Sequence, residues 1–365
     1  MLVFGTRPEA IKMCPLVKVL KTMSWCDVKV CVTGQHRQML DRVLQAFEVS
    51  ADYDLSIMKK DQTLFDITTA VLQAFPPVLL REKPDMVLVH GDTTTSFAAA
   101  LACYYLQIPV GHVEAGLRTG DIYAPFPEEF NRQAVALTAA LHFAPTSCAK
   151  ENLIAEGKKP EHIFVTGNTI VDALRTTIRA EYTHEALTWA QGSRLILLTA
   201  HRRENWGKKM AHIFQAVRQI ADEFENVKVL YPVHPNPQVK ALAQQYLAGH
   251  ERISLTEPLD VVPFHNIISR SDFIVTDSGG IQEEACALAK PVLVLRDITE
   301  RPEGISSGNL CLAGTTQEKV YRACKDLLTD TALYRRMRTS ANPYGDGHTC
   351  EKIAQLLKQY LSACE

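Results

Sequence analysis

The chain has 365 residues, of which 46% are hydrophobic, and this length and composition suit two domains with separate cores. Its 39 lysines and arginines are balanced by 41 acidic residues, which excludes the net positive field that would hold nucleic acid or an anionic membrane. The ten cysteines form no C-x-x-C pair or zinc-type cluster, and neither a leader nor an apolar run of about 20 residues is visible, so we expect a soluble, cytoplasmic protein without a bound metal.

Short apolar runs recur along the chain, and each ends in a polar cluster and precedes a segment of helical periodicity. They occupy residues 28–36, 86–95, 195–205, 227–237, 273–280 and 291–297. Apolar runs with little alternation are typical of strands buried on both faces, as in parallel sheets covered by helices. The carboxyl ends of such strands are where open parallel sheets bind ligands. The sequence therefore predicts an α/β fold with its ligands at these polar clusters.

The pattern of runs appears in both halves of the chain, which predicts two sheets facing each other across a cleft. A polar helical segment without a strand-like run, residues 169–193, separates the halves. We expect a first domain at residues 1–168 and a second at residues 169–352.

The first motif is GTRPEAIK at residues 5–12. Gly5 permits a tight turn, and Pro8 suits the first turn of a helix. Arg7 and Lys12 add positive charge near that helix start. An anion site and a plain strand-to-helix turn with surface bases fit this motif about equally well.

The run MVLVHGDTTTS, residues 86–96, places Asp92 at the carboxyl end of a predicted strand. An aspartate at this position often caps the following helix. It also suits a catalytic or positioning carboxylate that faces the cleft. Both interpretations remain open for Asp92.

Residues 112–132, HVEAGLRTGDIYAPFPEEFNR, concentrate charged side chains between two aliphatic stretches. Two glycines and two prolines interrupt any helix here and predict a defined loop. A defined loop can aim charged groups at one point, whereas a plain surface loop would leave them solvated. The charged groups considered are Glu114, Arg118, Asp121, Glu128 and Arg132.

In the second half, TAHRREN places His201 directly after an apolar run and beside two arginines. This position favours contact with a phosphate or a sugar, against the alternative of solvated arginines after a strand. His234 lies among prolines in PVHPNP, where a structural turn is the better interpretation.

The strongest single motif is FIVTDSGGIQEEACALAK at residues 273–290. A strand, the residues Ser278, Gly279 and Gly280, and then a helix leave bare backbone N–H groups where a phosphate can approach. Glu283 or Glu284 can accept from ribose hydroxyls, so a nucleoside diphosphate fits. Neither a Walker loop nor a dinucleotide fingerprint is present.

Arg301 follows in RDITERPEG, residues 296–304. Its position beside the Ser-Gly-Gly turn favours a second basic group at the diphosphate. The alternative is a surface salt bridge of little energetic value.

As a set, these motifs resemble the non-hydrolysing UDP-N-acetylglucosamine 2-epimerases. The matching pieces, in order, are GTRPEAIK, GQH, HGDTTT, HVEAGLRTGD, PFPEEFNR, TAHRREN, PVHPNP, DSGGIQEEA, TERPEG and NPYGDG. The resemblance implies two Rossmann-like domains facing a central cleft, the glycosyltransferase-B type, with a C-terminal helix at 353–365 that packs back on the first domain. It also implies a homodimer that needs no cofactor.

The implied reaction is reversible epimerisation at C-2 of UDP-GlcNAc to UDP-ManNAc, by elimination of UDP and re-addition through a 2-acetamidoglucal, which supplies ManNAc for cell-surface polysaccharide. The residues that match the family's catalytic positions are Asp92, Glu114, Glu128 and His201. Those that match its substrate-binding positions are Arg7, Lys12, Arg132, Ser278, Gly279, Gly280, Glu284 and Arg301. We expect structural roles for Asp121 and Glu129.

The sequence departs from the family pattern in two places. It begins only four residues before GTRPEA, where relatives carry a longer first strand, so we expect a truncated end or a misassigned start. The segment that binds an activating UDP-GlcNAc in some relatives is present as Gln35, His36 and Gln38, but Asp61 stands where those relatives have an arginine. An acid there weakens contact with a diphosphate, so substrate activation is in doubt.

Three other functions also fit the sequence. A hydrolysing 2-epimerase is the nearest, although its first loop usually lacks the Pro-Glu-Ala-Ile-Lys continuation. A glycosyltransferase of the same architecture would need the diphosphate site but not three acids in the other domain. A non-catalytic sugar-nucleotide sensor would bind UDP-GlcNAc without exchanging its C-2 proton.

Overall fold

The computed structural model describes residues 1–34, 37–59, 61–299 and 301–363. The chain divides into two units, Met1–Thr176 with Tyr344–Glu365, and Thr177–Pro343. Each unit contains one parallel sheet flanked by helices. The predicted α/β fold with two Rossmann-like domains is confirmed.

The first unit contains a seven-stranded sheet. Its strands are β1 (Leu2–Phe4), β2 (Val30–Val32), β3 (Tyr53–Asp54), β4 (Val87–His90), β5 (Val110–Val113), β6 (Leu141–Ala144) and β7 (Ile163–Val165). Their spatial order is β3-β2-β1-β4-β5-β6-β7, and all neighbours run parallel. The helices are α1 (Arg7–Lys21), α2 (Arg37–Phe47), α3 (Leu64–Glu82), α4 (Thr94–Tyr105), α5 (Glu128–Thr138), α6 (Ser147–Ala155) and α7 (Thr169–Thr177), with a 3₁₀ turn at Pro160–His162.

The second unit contains a six-stranded sheet. Its strands are β8 (Arg194–Thr199), β9 (Val227–Pro232), β10 (Ile253–Thr256), β11 (Phe273–Thr276), β12 (Val292–Val294) and β13 (Leu310–Leu312). The order is β10-β9-β8-β11-β12-β13, again all parallel. The helices are α8 (Glu185–Ala190), α9 (Lys208–Glu223), α10 (Pro237–Leu247), α11 (Val261–Arg270), α12 (Gly279–Ala287), α13 (Pro302–Ser307), α14 (Gln317–Thr329) and α15 (Thr331–Thr339), with a 3₁₀ turn at Arg203–Asn205. The last helix, α16 (Thr349–Ser362), belongs to the first unit and packs against α1.

The central strands are buried along their whole length, as the unalternating apolar runs predict. Every residue of β1, β4, β5 and β11 is buried. Helices cover these sheets through apolar faces, such as the face of α3 that buries Val71 and Phe75. Because both faces are covered, the polar clusters of the candidate site lie where the strands end.

The unit boundaries differ from the predicted limits at residues 168 and 352, because α7 stays with the first unit and the chain returns to it at Tyr344. The Asp172 carboxylate of α7 accepts hydrogen bonds from the backbone N–H groups of Thr349 (3.3 Å) and Cys350 (2.9 Å). The Asn168 N–H donates to the Tyr344 carbonyl at 2.8 Å. These bonds join α7 to the first turn of α16, and Asn168 to the segment before α16.

The prediction of a loop throughout residues 112–132 is only partly correct. The irregular segment ends at Pro127, and α5 begins at Glu128, so Glu128 and Arg132 lie on a helix. Within the loop Gly116 has φ +90°, and a Cβ there would lie 2.2 Å from the Ala149 carbonyl oxygen, so glycine is required.

None of the helices within the described residues combines the length and the apolar character that crossing a membrane requires.

Candidate active site

Asp92 follows the carboxyl end of β4. The helix cap at this point is Thr93, whose hydroxyl oxygen accepts from the Ser96 N–H at 3.0 Å, so the capping interpretation of Asp92 is wrong. Instead, Asp92 Oδ2 accepts from Nε (3.0 Å) and Nη2 (2.7 Å) of Arg132. The Asn131 amide donates to the Asp92 carbonyl at 2.9 Å. Helix α5 therefore fixes both the carboxylate and the backbone of Asp92.

Glu114 follows the carboxyl end of β5 in a left-handed backbone conformation with φ +60°, and its side chain is 8% exposed. Its Oε2 forms an ion pair with Lys12, accepts from the Asn168 amide at 2.8 Å, and lies 3.6 Å from Nε2 of His90. Burial alone would raise the pKa of Glu114, but Lys12 and His90 lower it well below its ordinary value. The site therefore holds a buried, ionised carboxylate.

The two carboxylates arise from neighbouring strand ends, because β4 and β5 are paired. The Gly91 N–H donates to the Val113 carbonyl at 2.9 Å, and a Cβ on Gly91 would lie 3.6 Å from Glu114 Oε1. His112 Nε2 lies 2.8 Å from the Gly91 carbonyl oxygen. The Glu114 side chain thus lies directly beside the residue that precedes Asp92.

Glu128 and Glu129 begin α5 but differ in their surroundings. The Glu129 carboxylate is fully buried and accepts from the Thr119 N–H and from Arg132 Nη1, both at 3.1 Å. Glu128 Oε2 is buried and has no hydrogen-bond partner among the described residues. An unsatisfied buried carboxylate oxygen is costly unless a ligand uses it, so Glu128 is the better site candidate.

The backbone N–H groups at the start of α1 are occupied by a side chain of the same helix. Glu9 Oε2 accepts from the N–H groups of Gly5 (3.0 Å) and Thr6 (2.8 Å). Arg7 is exposed, and Lys12 is directed to Glu114 rather than to the helix start. Glu9 therefore supplies a negative charge beside the helix start, and the anion site at residues 5–12 stays a prediction that depends on Arg7.

The start of α12, where the sequence predicts a diphosphate site, is different. Ser278 is its N-cap, yet no side chain of the described residues caps this helix, and its first turn carries no acid. A Cβ on Gly280 would meet no described atom within 4 Å. The first N–H groups of α12, from Gly279 onward, therefore suit an anion that approaches the helix N-terminus.

Only one of the two consecutive glutamates of α12 suits a ligand. Glu283 accepts from Arg301 Nε at 2.8 Å, and both side chains are buried, so the surface salt-bridge interpretation of Arg301 is wrong. Glu284 Oε2 is buried without a hydrogen-bond partner among the described residues, and His265 Nε2 lies 3.8 Å from it. Glu284 is therefore the group that suits a ribose hydroxyl donor.

His201 lies at the end of β8 beside a buried aspartate, Asp277. The Asp277 carboxylate accepts from the backbone N–H groups of His201 and Arg202, both at 2.9 Å, and from the Asn205 amide at 3.1 Å. His201 Nδ1 lies 3.3 Å from the same carboxylate, and the His201 ring stacks on that of His234 at 5.4 Å. Asp277 thereby orients the whole turn after β8.

A family model described as UDP-N-acetylglucosamine 2-epimerase matches residues 18–358. The chain belongs to this family. It is 56% identical over 357 residues to the UDP-N-acetylglucosamine 2-epimerase of Bacillus subtilis, covering 98% of this chain and 94% of the relative. The structure resembles that of S. aureus MnaA solved with UDP, with TM-score 0.93, 52% identity, and coverage of 99% and 96%. It also resembles the UDP-GlcNAc 2-epimerase of Neisseria meningitidis bound to UDP-GlcNAc, with TM-score 0.93, 44% identity, and coverage of 98% and 99%.

Three residues of this 2-epimerase family member that were not predicted from the sequence contact candidate site residues, and they are His90, Asn168 and Asp277. A fourth residue that was not predicted, Glu9, contacts Gly5 and Thr6 beside Arg7. Glu9 had a usable signal, since Thr6 and Glu9 form a capping-box pair at the start of α1. Asp277 follows a strand just as Asp92 does. Asn168 had no local signal, because its contact depends on a carboxylate 54 positions away.

The predicted activator segment cannot be compared with the family pattern. Gln35 and His36 lie outside the described residues, as does the side chain of Gln38. Asp61 is exposed, with φ +54°. Weakened activator binding therefore stays a prediction. Among the described residues, no group of three or more His, Cys, Asp or Glu side chains could hold a metal ion.

We predict that unfolding free energy falls as pH drops from about 6.5 toward 4, because His112 and His142 are buried. Burial lowers the pKa of His112 to about 3 and of His142 to about 4, from 6.5 in the unfolded chain. The unfolded state binds protons in this window and the folded state does not, so each histidine removes about 1.4 kcal/mol of stability per pH unit. Urea unfolding at several pH values, followed by circular dichroism, measures the slope.

The variant His112→Gln should show a shallower slope between pH 6 and 5, where few carboxylates titrate. His212→Gln is the matched control, since His212 is exposed. Equal slopes for His112→Gln and the wild type would contradict the assignment.

Proposed function

We propose that the chain catalyses the reversible epimerisation at C-2 of UDP-GlcNAc to UDP-ManNAc, without net hydrolysis. The observation that carries this proposal is the group of acids Asp92, Glu114 and Glu128 at two adjacent strand ends and the start of α5. A sugar C–H bond with no adjacent carbonyl is a poor acid, so its cleavage requires positioned bases together with a stabilised leaving group. The acids meet the first requirement.

In the proposed reaction a carboxylate removes the C-2 proton while the C-1–O bond to UDP breaks. The electrons of the C–H bond form the C-1–C-2 double bond, and those of the C–O bond leave with UDP, which gives 2-acetamidoglucal. In the return step the UDP oxygen attacks C-1, and C-2 receives a proton on the opposite face. Proton transfer is assigned to the three acids as a set.

The surroundings of these acids support that role. Lys12 keeps Glu114 ionised and able to accept a proton. Arg132 orients Asp92 by donating twice to one oxygen of its carboxylate. Glu128 retains a buried oxygen without a partner among the described residues, which suits a proton acceptor or donor. His201 is assigned to the same chemistry, oriented by Asp277.

The second unit supplies the leaving-group site in this proposal. Backbone N–H groups at the start of α12 stabilise the diphosphate, and Glu284 accepts from the ribose. Arg301, held by Glu283, adds positive charge there, and the exposed Arg7 of the first unit is assigned to substrate binding. The S. aureus relative solved with UDP and the Neisseria meningitidis relative bound to UDP-GlcNAc support this ligand class.

The contacts of α1 favour the non-hydrolysing type. The Pro-Glu-Ala-Ile-Lys continuation contributes Glu9, which binds Thr93 (2.6 Å) and Ser96 (3.0 Å) beside Asp92, and Lys12, which binds Glu114. This segment therefore belongs to the acid cluster, and a glycosyltransferase would need no such cluster. In this proposal the protein acts in the cytoplasm, and its product supplies ManNAc units for cell-surface polysaccharide. The buried, unpaired thiols of Cys14, Cys31 and Cys103 are consistent with that reducing compartment.

We predict that the protein converts UDP-GlcNAc in heavy water to UDP-ManNAc that carries deuterium at C-2. The deuterium enters because reprotonation draws on exchanged carboxylates. Proton NMR of the sugar signals follows both conversion and exchange. Free ManNAc with UDP would identify the hydrolysing type, and binding without exchange would identify a sensor.

We predict that Asp92→Asn, Glu114→Gln and Glu128→Gln each lower kcat by about 100-fold or more, since each removes a proton-transfer group. Affinity for UDP, measured by isothermal titration calorimetry, should stay near the wild-type value. Asp121→Asn is the matched control, because Asp121 is an exposed acid of the same loop. Glu284→Gln should instead weaken UDP binding. A parallel loss of UDP affinity and rate in the first three variants would contradict their assignment.

We further infer that the protein works as a homodimer through exposed apolar side chains on α3, α4, α5 and the loop before α5. They are Leu64, Phe65, Leu80, Tyr104, Tyr105, Ile122, Tyr123, Phe126, Phe130 and Leu137. Helices α3, α4 and α5 pack on one another in sequence, and Phe97 of α4 contacts Phe130 of α5 edge-on at 5.6 Å between ring centroids. A concentration of exposed apolar groups marks a surface that another chain covers.

We predict that Leu137→Glu converts a dimer into a monomer, because the substitution would bury a charge in the interface. Leu137 is 76% exposed in the single chain, so the change should not affect the monomer fold. Ile298→Glu is the matched control, at 83% exposure in the second unit. Sedimentation equilibrium measures the mass. A monomeric wild type, or a dimeric Leu137→Glu variant, would contradict the inference.

A further inference from the structure

Asn168 lies between β7 and α7 and donates from Nδ2 to Oε2 of Glu114 at 2.8 Å. The residue is 2% exposed, so its side chain is almost completely enclosed. Its Oδ1 accepts from the Ile170 N–H at 3.0 Å, and this bond orients the amide so that the NH₂ group points at the carboxylate. Both the NH₂ group and the oxygen of the amide therefore form hydrogen bonds.

The backbone of Asn168 is held by the segment that leads into α16. Its N–H donates to the Tyr344 carbonyl at 2.8 Å. Gly167 and Gly345 face each other with φ +94° and +111°, and a Cβ on Gly345 would lie 3.1 Å from Gly167 Cα. Glycine at both positions permits this approach of two backbones. The turn at residues 344–345 thereby fixes the position of Asn168.

We propose that Asn168 is a positioning residue that holds the Glu114 carboxylate, and that the turn at Tyr344–Gly345 acts on the site through it. Glu114 needs such support, because it occupies a left-handed conformation that a glutamate rarely adopts. The charged and titratable groups that face Glu114 are Lys12 from α1 and His90 from β4. Asn168 adds a neutral donor that remains in place whatever the protonation of those two groups. This inference rests on the proposed function of Glu114 in proton transfer.

The test uses Asn168→Asp, which preserves the size of the side chain and the oxygen that accepts from Ile170 but loses the donor to Glu114. Loss of the donor and gain of a like charge both raise the pKa of Glu114. We expect kcat to fall about 10- to 100-fold and the acidic limb of its pH profile to move to higher pH. Affinity for UDP should not change. If Asn168→Asp has the pH profile of the wild type, then Asn168 only accepts from Ile170 at the start of α7, and the proposal is overturned.

The second variant is Gly345→Ala, which tests the backbone contact. Its control is Gly157→Ala in the same unit, because Gly157 also has a positive φ (+79°) but no described atom within 4 Å of the methyl group that alanine would add. Both variants carry the penalty of a left-handed alanine and should lower the melting temperature. Only Gly345→Ala should shift the pH profile as Asn168→Asp does. A shift in both variants, or in neither, would show that the turn does not act on Glu114.

A readout independent of turnover separates failure of this inference from failure of the proposed function. Carbon-13 NMR of protein labelled at its glutamate carboxyls follows the titration of Glu114, and Glu114→Gln assigns the signal. We expect a higher titration midpoint in Asn168→Asp and Gly345→Ala than in the wild type and Gly157→Ala. This result would support the inference even if UDP-GlcNAc is not epimerised. Equal midpoints in all four proteins would overturn it even if UDP-GlcNAc is epimerised.

Discussion

The buried ion pair between Glu114 and Lys12 is the interaction on which the arrangement of the first unit depends. Removing two charges from water is costly, and only close pairing with further hydrogen bonds compensates for it. The pair therefore requires α1 and the end of β5 to keep a fixed spacing, and it also requires His90 and Asn168 beside it. The left-handed backbone of Glu114 is maintained by this surrounding network, as expected where strain serves a site.

Each unit contains a similar strand-turn-helix element, but the two helix starts differ in what their N–H groups can bind. At the start of α1 the backbone N–H groups bind Glu9, a residue of the same helix, so the turn is closed by its own charge. At the start of α12 none of the side chains that the structure describes occupies the cap, and a Cβ on Gly280 would meet none of their atoms within 4 Å. The same helix dipole thus stabilises an internal carboxylate in one unit and suits an external anion in the other.

In each unit, buried acids hold the candidate site residues in place without being assigned to the reaction themselves. Asp277 accepts hydrogen bonds from the turn that carries His201, and Glu283 accepts from Arg301. Glu284 has a buried oxygen without a partner among the described residues, which suits a ligand. Glu129 supports Arg132, which in turn orients Asp92. Asp277, Glu283 and Glu129 therefore serve as supports, whereas the buried oxygens of Glu128 and Glu284, without partners among the described residues, suit a ligand.

The sequence alone determined the α/β class and the two Rossmann-like domains, because strand burial is a local pattern. Turn chemistry predicted the diphosphate site at the Ser-Gly-Gly turn, and the roles of Asp92, Glu114 and Glu128 were predicted from the resemblance to the 2-epimerases. It could not determine that Lys12 faces Glu114, or that Asn168 is held by Tyr344. Those contacts join positions up to 176 residues apart, and only the packed sheet and the returning C-terminal segment bring them together. Tertiary structure decided them because a buried charge selects its partners by proximity in space, which spacing along the chain does not reveal.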